Sequence, residues 1–385
     1  MTAKIKVLQV IPKLGYGGAE TGCYDIAHYL AEKDCGSFIA TSGGQLLKFV
    51  RKEKVKIFRL PVHSKNPLII LFNAIILIFL ILIKNINIVH ARSRAPAWSC
   101  FIACLITRRK FITTFHGTYN FKNKFKKFYN SIMLRSKLII AGSNFIFNHI
   151  NENYGEYINK NKKLRVIFRG INIDYYDKKN ISVLKQERLK GDWKLDSGKF
   201  TILMPGRLTS WKGQEKFIEA LNILAEDYNL TNFQAVILGP DQGRKVYKKR
   251  LIDLVNRYRL NQKITFVNHC SEMPLAYSLA DVVVSASIEP EAFGRISVEA
   301  QAMGKPIIAS NIGGSKETIL SNKSGFLYKH DDPRDLAKIL NTVMELDQDT
   351  LQIMGNEGRN NVTKKFDVET MCDSTLREYK KLLNI

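Results

Sequence analysis

The chain has 385 residues, of which 45% are hydrophobic and 24% are charged, with only 24 Gly and 10 Pro. This composition is typical of a globular protein and excludes collagen-like and wholly disordered chains, and the length suggests two domains. The formal net charge is +24, and residues 1–200 carry 35 Lys/Arg against 12 Asp/Glu. Because no acidic residue lies between Glu53 and Glu152, the basic character belongs to the N-terminal half.

Short apolar segments alternate with longer helical patterns along the whole chain. The predicted strands are, in chain order, KIKVLQV, FIATSG, INIVHA, KFITTFHG, KLIIAGS, KFTILMPG, FQAVILGP, KITFVNH, DVVVSAS and KPIIASN. Strands that alternate with helices are typical of parallel sheets covered on both faces. The sequence therefore predicts an α/β protein of two tandem doubly wound, Rossmann-like domains.

The predicted domains divide in a polar, Lys/Asn-rich stretch at 172–198, where the charge pattern changes. We assign residues 1–185 to a basic N-terminal domain and residues 186–385 to a C-terminal domain, and leave open whether the last helix packs back on the first domain. A cleft between the two domains is expected. Parallel α/β sheets bind ligands beyond the carboxyl ends of their strands, so the informative residues are those in the loops that follow strands.

Residues 67–83 form a run of 17 nearly continuous apolar residues that leads into the predicted strand INIVHA. A helix that spans a bilayer needs about 20 residues, within a range of about 17–25. The sequence favours a helix that is buried or docked on its own domain. A membrane span and a helix lying partly in the lipid interface are the alternatives.

A second segment, residues 121–132, combines aromatic and basic residues at helical spacing. Phe121, Phe125, Phe128 and Ile132 fall on one face, while the lysines lie mostly elsewhere. This pattern is typical of a basic amphipathic helix that lies on an anionic membrane. The alternative is a helix whose aromatic stripe packs on its own domain.

The six cysteines form no Cys-x-x-Cys pair, and the N-terminal residues lack an apolar signal core. Both features favour reduced thiols and a cytoplasmic protein.

Two loops after predicted strands could contact phosphate. The first, residues 15–20, is glycine-rich and opens a helix, but Glu20 stands where the dinucleotide-binding pattern has glycine, so the loop is also compatible with an ordinary turn. The second places Arg207 and Lys212 five residues apart. Such a pair of cations could clamp a diphosphate, and the alternative is two solvated surface charges.

A third cluster covers residues 285–319 and contains two carboxylates. Glu291 is predicted in a loop after a strand, and Glu299 lies eight residues further along, within a predicted helix. If all eight residues were helical the carboxylates would stand ~12 Å apart, so we expect them to contact different parts of one extended ligand. A glycosidase pair spans a single bond and needs no phosphate site, which argues against that class.

Taken in order, the motifs resemble the retaining family 4 glycosyltransferases, which have the GT-B fold of two Rossmann-like domains facing each other across a cleft. The matching motifs are Gly17-Gly18, Thr114-Phe115-His116-Gly117, Gly206-Arg207 with Lys212-Gly213, Glu291-Ala292-Phe293-Gly294 with Glu299, Gly304-Lys305-Pro306, and Gly313-Gly314 with Glu317. Residues 89–98, VHARSRAPAW, further resemble lipopolysaccharide core mannosyltransferases of alphaproteobacterial type. The resemblance covers nearly the whole chain.

The resemblance implies a role for each matched residue. It makes the first domain acceptor-binding and the second nucleotide-sugar-binding. The donor-binding residues are the loop glycines, the cations that hold the diphosphate, the backbone N–H groups at a helix N-terminus, and the carboxylate for the ribose: Gly17, Gly18, Arg207, Lys212, Phe293, Gly294, Arg295 and Glu299. Glu291 would face the transferred sugar and His116 would contact the sugar or acceptor, which makes both catalytic candidates, although a single histidine by itself is more often structural.

The chain departs from the family at two points. Leu is commoner than Arg295, whose side chain is expected to add a phosphate contact. Phe168-Arg169-Gly170 stands where the family usually has Pro-Asn-Gly, which leaves the role of Asn172 undefined.

The resemblance further implies retaining transfer of a hexose, with mannose favoured, to a lipopolysaccharide-core or other lipid-linked glycan. The donor would be GDP-mannose rather than a UDP-hexose, used without a metal or cofactor. The basic N-terminal half would hold the protein on the anionic inner face of the cytoplasmic membrane. The alternatives are a nucleotide-sugar epimerase of the same architecture and a basic nucleic-acid-binding protein. No RNA-recognition signature, zinc finger or helix-turn-helix accompanies the charge, so we expect no nucleic-acid partner.

Overall fold

A computed structural model describes residues 5–158 and 163–385 of the chain. It divides into two compact units, the first running to Gly170 and including the C-terminal residues from Val368, and the second covering Ile171–Asp367. Each unit is built around a parallel β-sheet.

The first unit begins with strands and helices in alternation. Their bounds are β1 (Lys6–Val10), α1 (Gly18–Glu32), β2 (Gly36–Thr41), β3 (Val55–Arg59), α2 (Pro67–Ile83), β4 (Ile88–Ala91), α3 (Arg94–Thr107), β5 (Lys110–Phe115), α4 (Lys124–Ser131), β6 (Leu138–Ala141), α5 (Asn144–Tyr154) and β7 (Lys163–Val166). The strands pair in the order β3-β2-β1-β4-β5-β6-β7, and every pairing is parallel.

The second unit repeats the alternation. Its elements are α6 (Val183–Asp192), β8 (Phe200–Pro205), α7 (Gln214–Glu226), β9 (Phe233–Leu238), α8 (Lys245–Arg257), β10 (Ile264–Val267), α9 (Met273–Ser278), β11 (Val282–Ser285), α10 (Arg295–Ala302), β12 (Ile307–Ser310), α11 (Ser315–Thr318), β13 (Gly325–Tyr328), α12 (Pro333–Met344) and α13 (Gln348–Lys365). The order is β10-β9-β8-β11-β12-β13, again all parallel, so the predicted pair of doubly wound α/β domains is confirmed.

The last helix, α14 (Val368–Leu383), belongs to the first unit. Its apolar face joins the core formed by β1, α1 and β4, where Leu376 and Tyr379 are buried beside Val7 and Leu30. The Tyr379 hydroxyl lies 2.6 Å from Nδ1 of His90, which ties α14 to β4.

The units divide at residue 170, whereas the sequence placed the domain boundary at 185. Residues 171–180 belong to the second unit because they pack on it at several points. Ile171 forms a β-bridge with Asp367, and Arg359 donates to a carboxylate oxygen of Asp177 at 2.7 Å. The aromatic ring of Tyr176, in the same segment, is buried within this unit.

Five of the inner strands are buried along their whole length, which is why their sequences are nearly continuously apolar. Every residue of β4, β6, β9, β11 and β12 is buried. Three edge strands, β3, β7 and β13, are not among the predicted strands, whereas the fourth, β10, is. An edge strand has one neighbour and partial solvent contact, so β3 carries Lys56 and Arg59 within a short apolar pattern.

Helix α2 is two-faced, although its sequence is apolar all round. Asn66 caps its N-terminus by accepting from the N–H of Leu68, and Pro67 occupies the first turn. Asn73, Ala74, Leu77 and Ile81 are buried. The opposite face is exposed, with fractions between 47% and 76% for Leu68, Leu71, Phe72, Ile75, Phe79, Leu82 and Ile83. Helix α2 is therefore docked on its own domain through one face, as predicted, and its other apolar face is exposed.

Within the predicted amphipathic segment at 121–132, α4 covers Lys124–Ser131, so Phe121 and Ile132 flank the helix and the aromatic stripe is divided. Ile132 is fully buried, and Phe121 contacts Tyr154 at a centroid distance of 5.5 Å. Phe125 is 80% exposed, and Phe128 is 47% exposed although its ring contacts Trp98 of α3. The stripe therefore packs partly on its own domain, as the second interpretation predicted, and also leaves aromatic surface exposed, while membrane contact stays a prediction.

Candidate active site

Both sheets reverse their strand order at one position, and the motif loops lie there. In the first sheet the reversal falls between β1 and β4, and in the second between β8 and β11. Loops that leave such a pair of strands diverge and open a crevice at the carboxyl ends, which is where open α/β sheets bind ligands. The Gly17-Gly18 loop follows β1, the 206–213 loop follows β8, and the Glu291 loop follows β11.

The structure brings Lys212 and Glu291 into direct contact. Lys212 ends a 3-10 turn (Ser210–Lys212), and its Nζ lies 2.7 Å from Oε1 of Glu291. Both side chains are only 11% exposed. The same carboxylate oxygen accepts from the Ser287 hydroxyl at 2.6 Å. Two loops of the second unit are therefore joined by a nearly buried ion pair.

The ion pair sets the protonation state of Glu291. Burial would raise the pKa of this carboxyl, but the charge and hydrogen bond of Lys212, together with the hydroxyls of Ser287 and Ser285, outweigh it and hold the pKa below its ordinary value. Glu291 is thus ionised at neutral pH. A carboxylate of this kind accepts hydrogen bonds from hydroxyl groups and has no proton to donate as a general acid.

Gly213, which follows Lys212, is required by the backbone. It has φ +74°, and a Cβ there would lie 1.9 Å from the carbonyl oxygen of Ala286. The 206–213 loop thereby approaches the end of β11 more closely than any residue with a side chain would permit. This approach places Lys212 within reach of Glu291.

Glu299 is held in a polar cluster inside the second unit. Its Oε1 accepts from Nε of Arg295 at 2.6 Å, and its Oε2 accepts from the Tyr277 hydroxyl at 2.8 Å. The carboxylate side chain is 9% exposed. Burial and then the charge of Glu299 raise the pKa of Tyr277 well above its ordinary value, so this hydroxyl stays protonated and donates. Tyr176, whose pKa is raised by the same two causes, also borders the carboxylate.

The remaining predicted donor residues of the second unit are arranged around α10. Gly294, with φ +88°, is the residue before the helix, and a Cβ there would lie 2.7 Å from the backbone of Ser315. The Phe293 side chain is buried against Phe366, so its backbone alone is available to a ligand. Arg207 is exposed on the loop after β8. The Arg295 side chain, expected to add a phosphate contact, is paired with Glu299 in this structure.

In the first unit, the guanidinium of Arg169 lies against both His116 and Gly18. In the sequence, Arg169 stood out only because the family usually has Pro-Asn-Gly at residues 168–170. Nη2 of Arg169 donates to Nδ1 of His116 at 2.7 Å and to its carbonyl oxygen at 3.0 Å. A Cβ on residue 18 would lie 2.7 Å from Nη1 of the same guanidinium. Gly18 therefore leaves room for Arg169 against the first turn of α1. Glu20 folds back over Gly17, whose added Cβ would lie 2.3 Å from its carboxylate.

His116 is a neutral ring in this setting. Burial, followed by the positive charges of Arg169 and Arg92, holds its pKa well below the ordinary value. Since a guanidinium only donates, Nδ1 is the acceptor and the ring proton resides on Nε2. Nε2 is buried and has no hydrogen-bond partner among the described residues.

The sequence did not single out three side chains of this site. Ser287 lies within the motif region, but serine there carries no distinctive signal. Tyr277 and Tyr176 lie 22 and more residues from Glu299 along the chain, and only folding brings them beside it.

Two family models match the chain, one on each half. Residues 16–175 match Glycosyltransferase Family 4, and residues 185–361 match glycosyl transferases group 1. A crystal structure of a glycosyltransferase from Rickettsia africae is 39% identical, with a TM-score of 0.91, over 99% of both chains.

Two further relatives are named with different nucleotides, UDP for one and GDP-mannose for the other. HepE of Anabaena, solved with UDP and glucose, is 22% identical over 98% of this chain and all of its own, with a TM-score of 0.81, and thus shares the fold. A GDP-mannose-dependent phosphatidylinositol monomannoside mannosyltransferase of Mycobacterium tuberculosis is 30% identical over 182 residues, 45% of each protein.

Proposed function

Since the chain belongs to the family 4 glycosyltransferases of the GT-B fold, we propose that it is a retaining hexosyltransferase that moves mannose from GDP-mannose to a lipid-linked glycan such as a lipopolysaccharide core. The observation that carries this proposal is the pair of buried carboxylates held at the reversal point of the second sheet, one beside Lys212 and the other beside Tyr277. The mycobacterial mannosyltransferase supports the choice of donor.

In this proposal the donor lies along the loops of the second unit. Arg207 and Lys212 neutralise the diphosphate, and the N–H groups at 293–295 add the positive end of the α10 dipole. Glu299 accepts from the ribose hydroxyls, and Glu291 accepts from hydroxyls of the hexose. Lys212 then pairs with Glu291 and also stabilises the negative charge that develops on the diphosphate as the donor bond breaks.

The proposed transfer proceeds on one face of the sugar. The bond between the anomeric carbon and the phosphate oxygen breaks while the acceptor oxygen bonds to the same face of that carbon. The proton of the acceptor hydroxyl passes to the departing phosphate oxygen, and GDP is released. The chain's contribution is to position the substrates and stabilise charge, for which we propose no metal.

We further propose that the first unit rests on an anionic membrane. Besides the exposed face of α2, helix α3 exposes Leu105 and Ile106 near its end, and α4 exposes Phe125. Exposed basic residues lie on or next to the same three helices: Lys84, Arg108, Lys122, Lys124 and Lys126. Each basic residue near an anionic surface contributes about 1 kcal/mol, and apolar side chains add insertion. None of the helices in the described part of the chain has the length and apolarity to cross a membrane.

The donor assignment is tested by thermal unfolding with GDP, UDP and ADP. A ligand at 100 times its dissociation constant stabilises the folded protein by about 2.7 kcal/mol. We expect GDP to raise the unfolding midpoint of wild type and of Glu357→Ala, an exposed carboxylate on α13. Glu299→Ala should lose this effect, whereas Glu291→Ala should keep it and lose transfer. If none of the three nucleotides stabilises the wild-type protein, the proposed donor site is refuted.

The acceptor and metal proposals share one assay. Labelled GDP-mannose and UDP-glucose are each incubated with a membrane extract, with and without EDTA, and the lipid fraction is analysed. Label should enter lipid from GDP-mannose and be insensitive to EDTA. Isomerised nucleotide sugar without transfer would instead favour the epimerase.

Membrane docking is tested by sedimentation with vesicles. We expect binding to vesicles that contain phosphatidylglycerol and weaker binding to pure phosphatidylcholine. Phe72→Ser and Phe79→Ser on α2 should reduce binding, while Val246→Ser, 86% exposed on α8 of the second unit, should not. Equal binding by all variants would remove α2 from the docking surface.

A further inference from the structure

The first unit contains a buried cation, Arg92, that the proposed donor site with Arg207 and Lys212 does not use. Arg92 directly follows β4 and is only 3% exposed. Its Nε donates to Oε1 of Gln9 at 2.7 Å, and Gln9 in turn donates to the carbonyl of Cys23 at 3.0 Å. Among the described residues, no carboxylate lies within ion-pair distance of Arg92, and its buried Nη2 has no hydrogen-bond partner.

A buried charge without a counterion costs free energy that a solvated one does not. Gln9 fixes the direction of the guanidinium but supplies no negative charge. The position is therefore suited to an anion that arrives with a ligand. Charge-assisted hydrogen bonds from a guanidinium to an oxyanion are among the strongest that proteins form.

Arg169 and His116 lie on the same side of this unit and add donors. Arg92 directly follows β4, and His116 follows Phe115 at the end of the neighbouring parallel strand β5, in which Thr113 pairs with Ala91. Both residues therefore leave the sheet at the same carboxyl edge, where Arg169 contacts His116. Arg169 holds Nδ1 of His116 as an acceptor at 2.7 Å, which leaves the buried Nε2–H as an unused donor. The reversal point of the first sheet, between β1 and β4, brings the loop with Arg92 to this place.

We propose that Arg92, Arg169 and His116 form a binding site for an oxyanion, a carboxylate or a phosphate monoester, carried by the acceptor. This inference rests on the proposed glycosyltransferase function. In the proposed function Arg207, Lys212 and the N-terminus of α10, all in the second unit, neutralise the donor diphosphate, and we therefore assign the anion of this first-unit site to the acceptor. The enzyme would then select acceptors that bear a negative group near the hydroxyl that is glycosylated.

The test uses two small probes, methyl phosphate and acetate, which stand for the two sources of the anion. Binding is measured by isothermal titration to the full-length protein in saturating GDP, so that the donor site is occupied. We expect one probe to bind wild type and to weaken about 10- to 100-fold in Arg92→Gln and in Arg169→Gln, the effect of losing a charged hydrogen bond. The probe that binds identifies the source.

Two controls make the outcome decisive. Arg165→Gln removes the same charge from an exposed position on β7, four residues before Arg169, and should bind the probe like wild type. Unfolding midpoints identify any variant that fails to fold. If Arg92→Gln does not fold, Arg169→Gln, whose substitution lies in a loop, still tests the site. If wild type binds GDP but neither probe, or if both variants bind as wild type does, the oxyanion site is refuted. If GDP itself does not bind, the proposed function fails first.

Discussion

The ion pair between Lys212 and Glu291 makes a quantitative prediction about stability. Lys212→Met removes the cation and leaves a carboxylate that is 11% exposed with no opposite charge at 2.7 Å. Breaking a buried pair by removing one partner costs about 3–5 kcal/mol. Because Ser287 still donates to Glu291, we expect about 3 kcal/mol. For a domain of this size, that lowers the unfolding midpoint by about 6–12 °C.

The deficit should depend on pH in a defined direction. In wild type the pKa of Glu291 is lowered, so its stabilisation is present above the ordinary glutamate pKa and is lost only as the pH falls through that lowered value. In Lys212→Met the burial effect, which raises the pKa, is no longer outweighed by Lys212. The variant is therefore worst at pH 8 and recovers as Glu291 takes up a proton toward pH 5.

The assay is calorimetric unfolding of wild type and variants between pH 5 and pH 8. Lys216→Met is the matched control, because Lys216 pairs with Glu219 at 3.2 Å on a surface where both side chains are about one third exposed. Such a pair contributes less than about 1 kcal/mol. A Lys212→Met deficit no larger than that of Lys216→Met, or one that stays constant with pH, would refute the reasoning.

Three further substitutions have expected outcomes. Tyr277→Phe removes a hydrogen bond to the Glu299 carboxylate and should lower stability by about 1.5–3 kcal/mol and weaken GDP binding, measured by unfolding and titration. Gly213→Ala puts a Cβ against the Ala286 carbonyl at positive φ and should cost more than about 2 kcal/mol in the free energy of unfolding. Leu77→Ala, on the buried face of α2, should cost about 2–5 kcal/mol in denaturant unfolding, and a smaller loss would mean that this face is not packed.

The fold could be predicted because its central strands are buried on both faces. Burial of that kind demands continuous apolar residues, as in FQAVIL of β9, and such segments stand out between helical patterns. The unpredicted edge strands β3, β7 and β13 have no such demand on their outer side. β3 and β7 carry charged residues within five and four residues, and β13 is only four residues long, so their sequences resemble loops. Helix α2 could be predicted only in part. Its sequence is apolar all round and does not indicate that one face is buried against the domain while the opposite face is exposed.

The order of the motifs along the chain indicated the family, and the loops that follow the strands indicated the candidate site residues. Sequence alone could not pair Lys212 with Glu291, because that ion pair depends on a few ångströms of loop position that Gly213 and the sheet registers fix together. It also could not indicate that Arg92 is buried without a counterion. Burial is a property of everything packed around a residue, so only the tertiary structure decided which charges are solvated and which are held in place for a ligand.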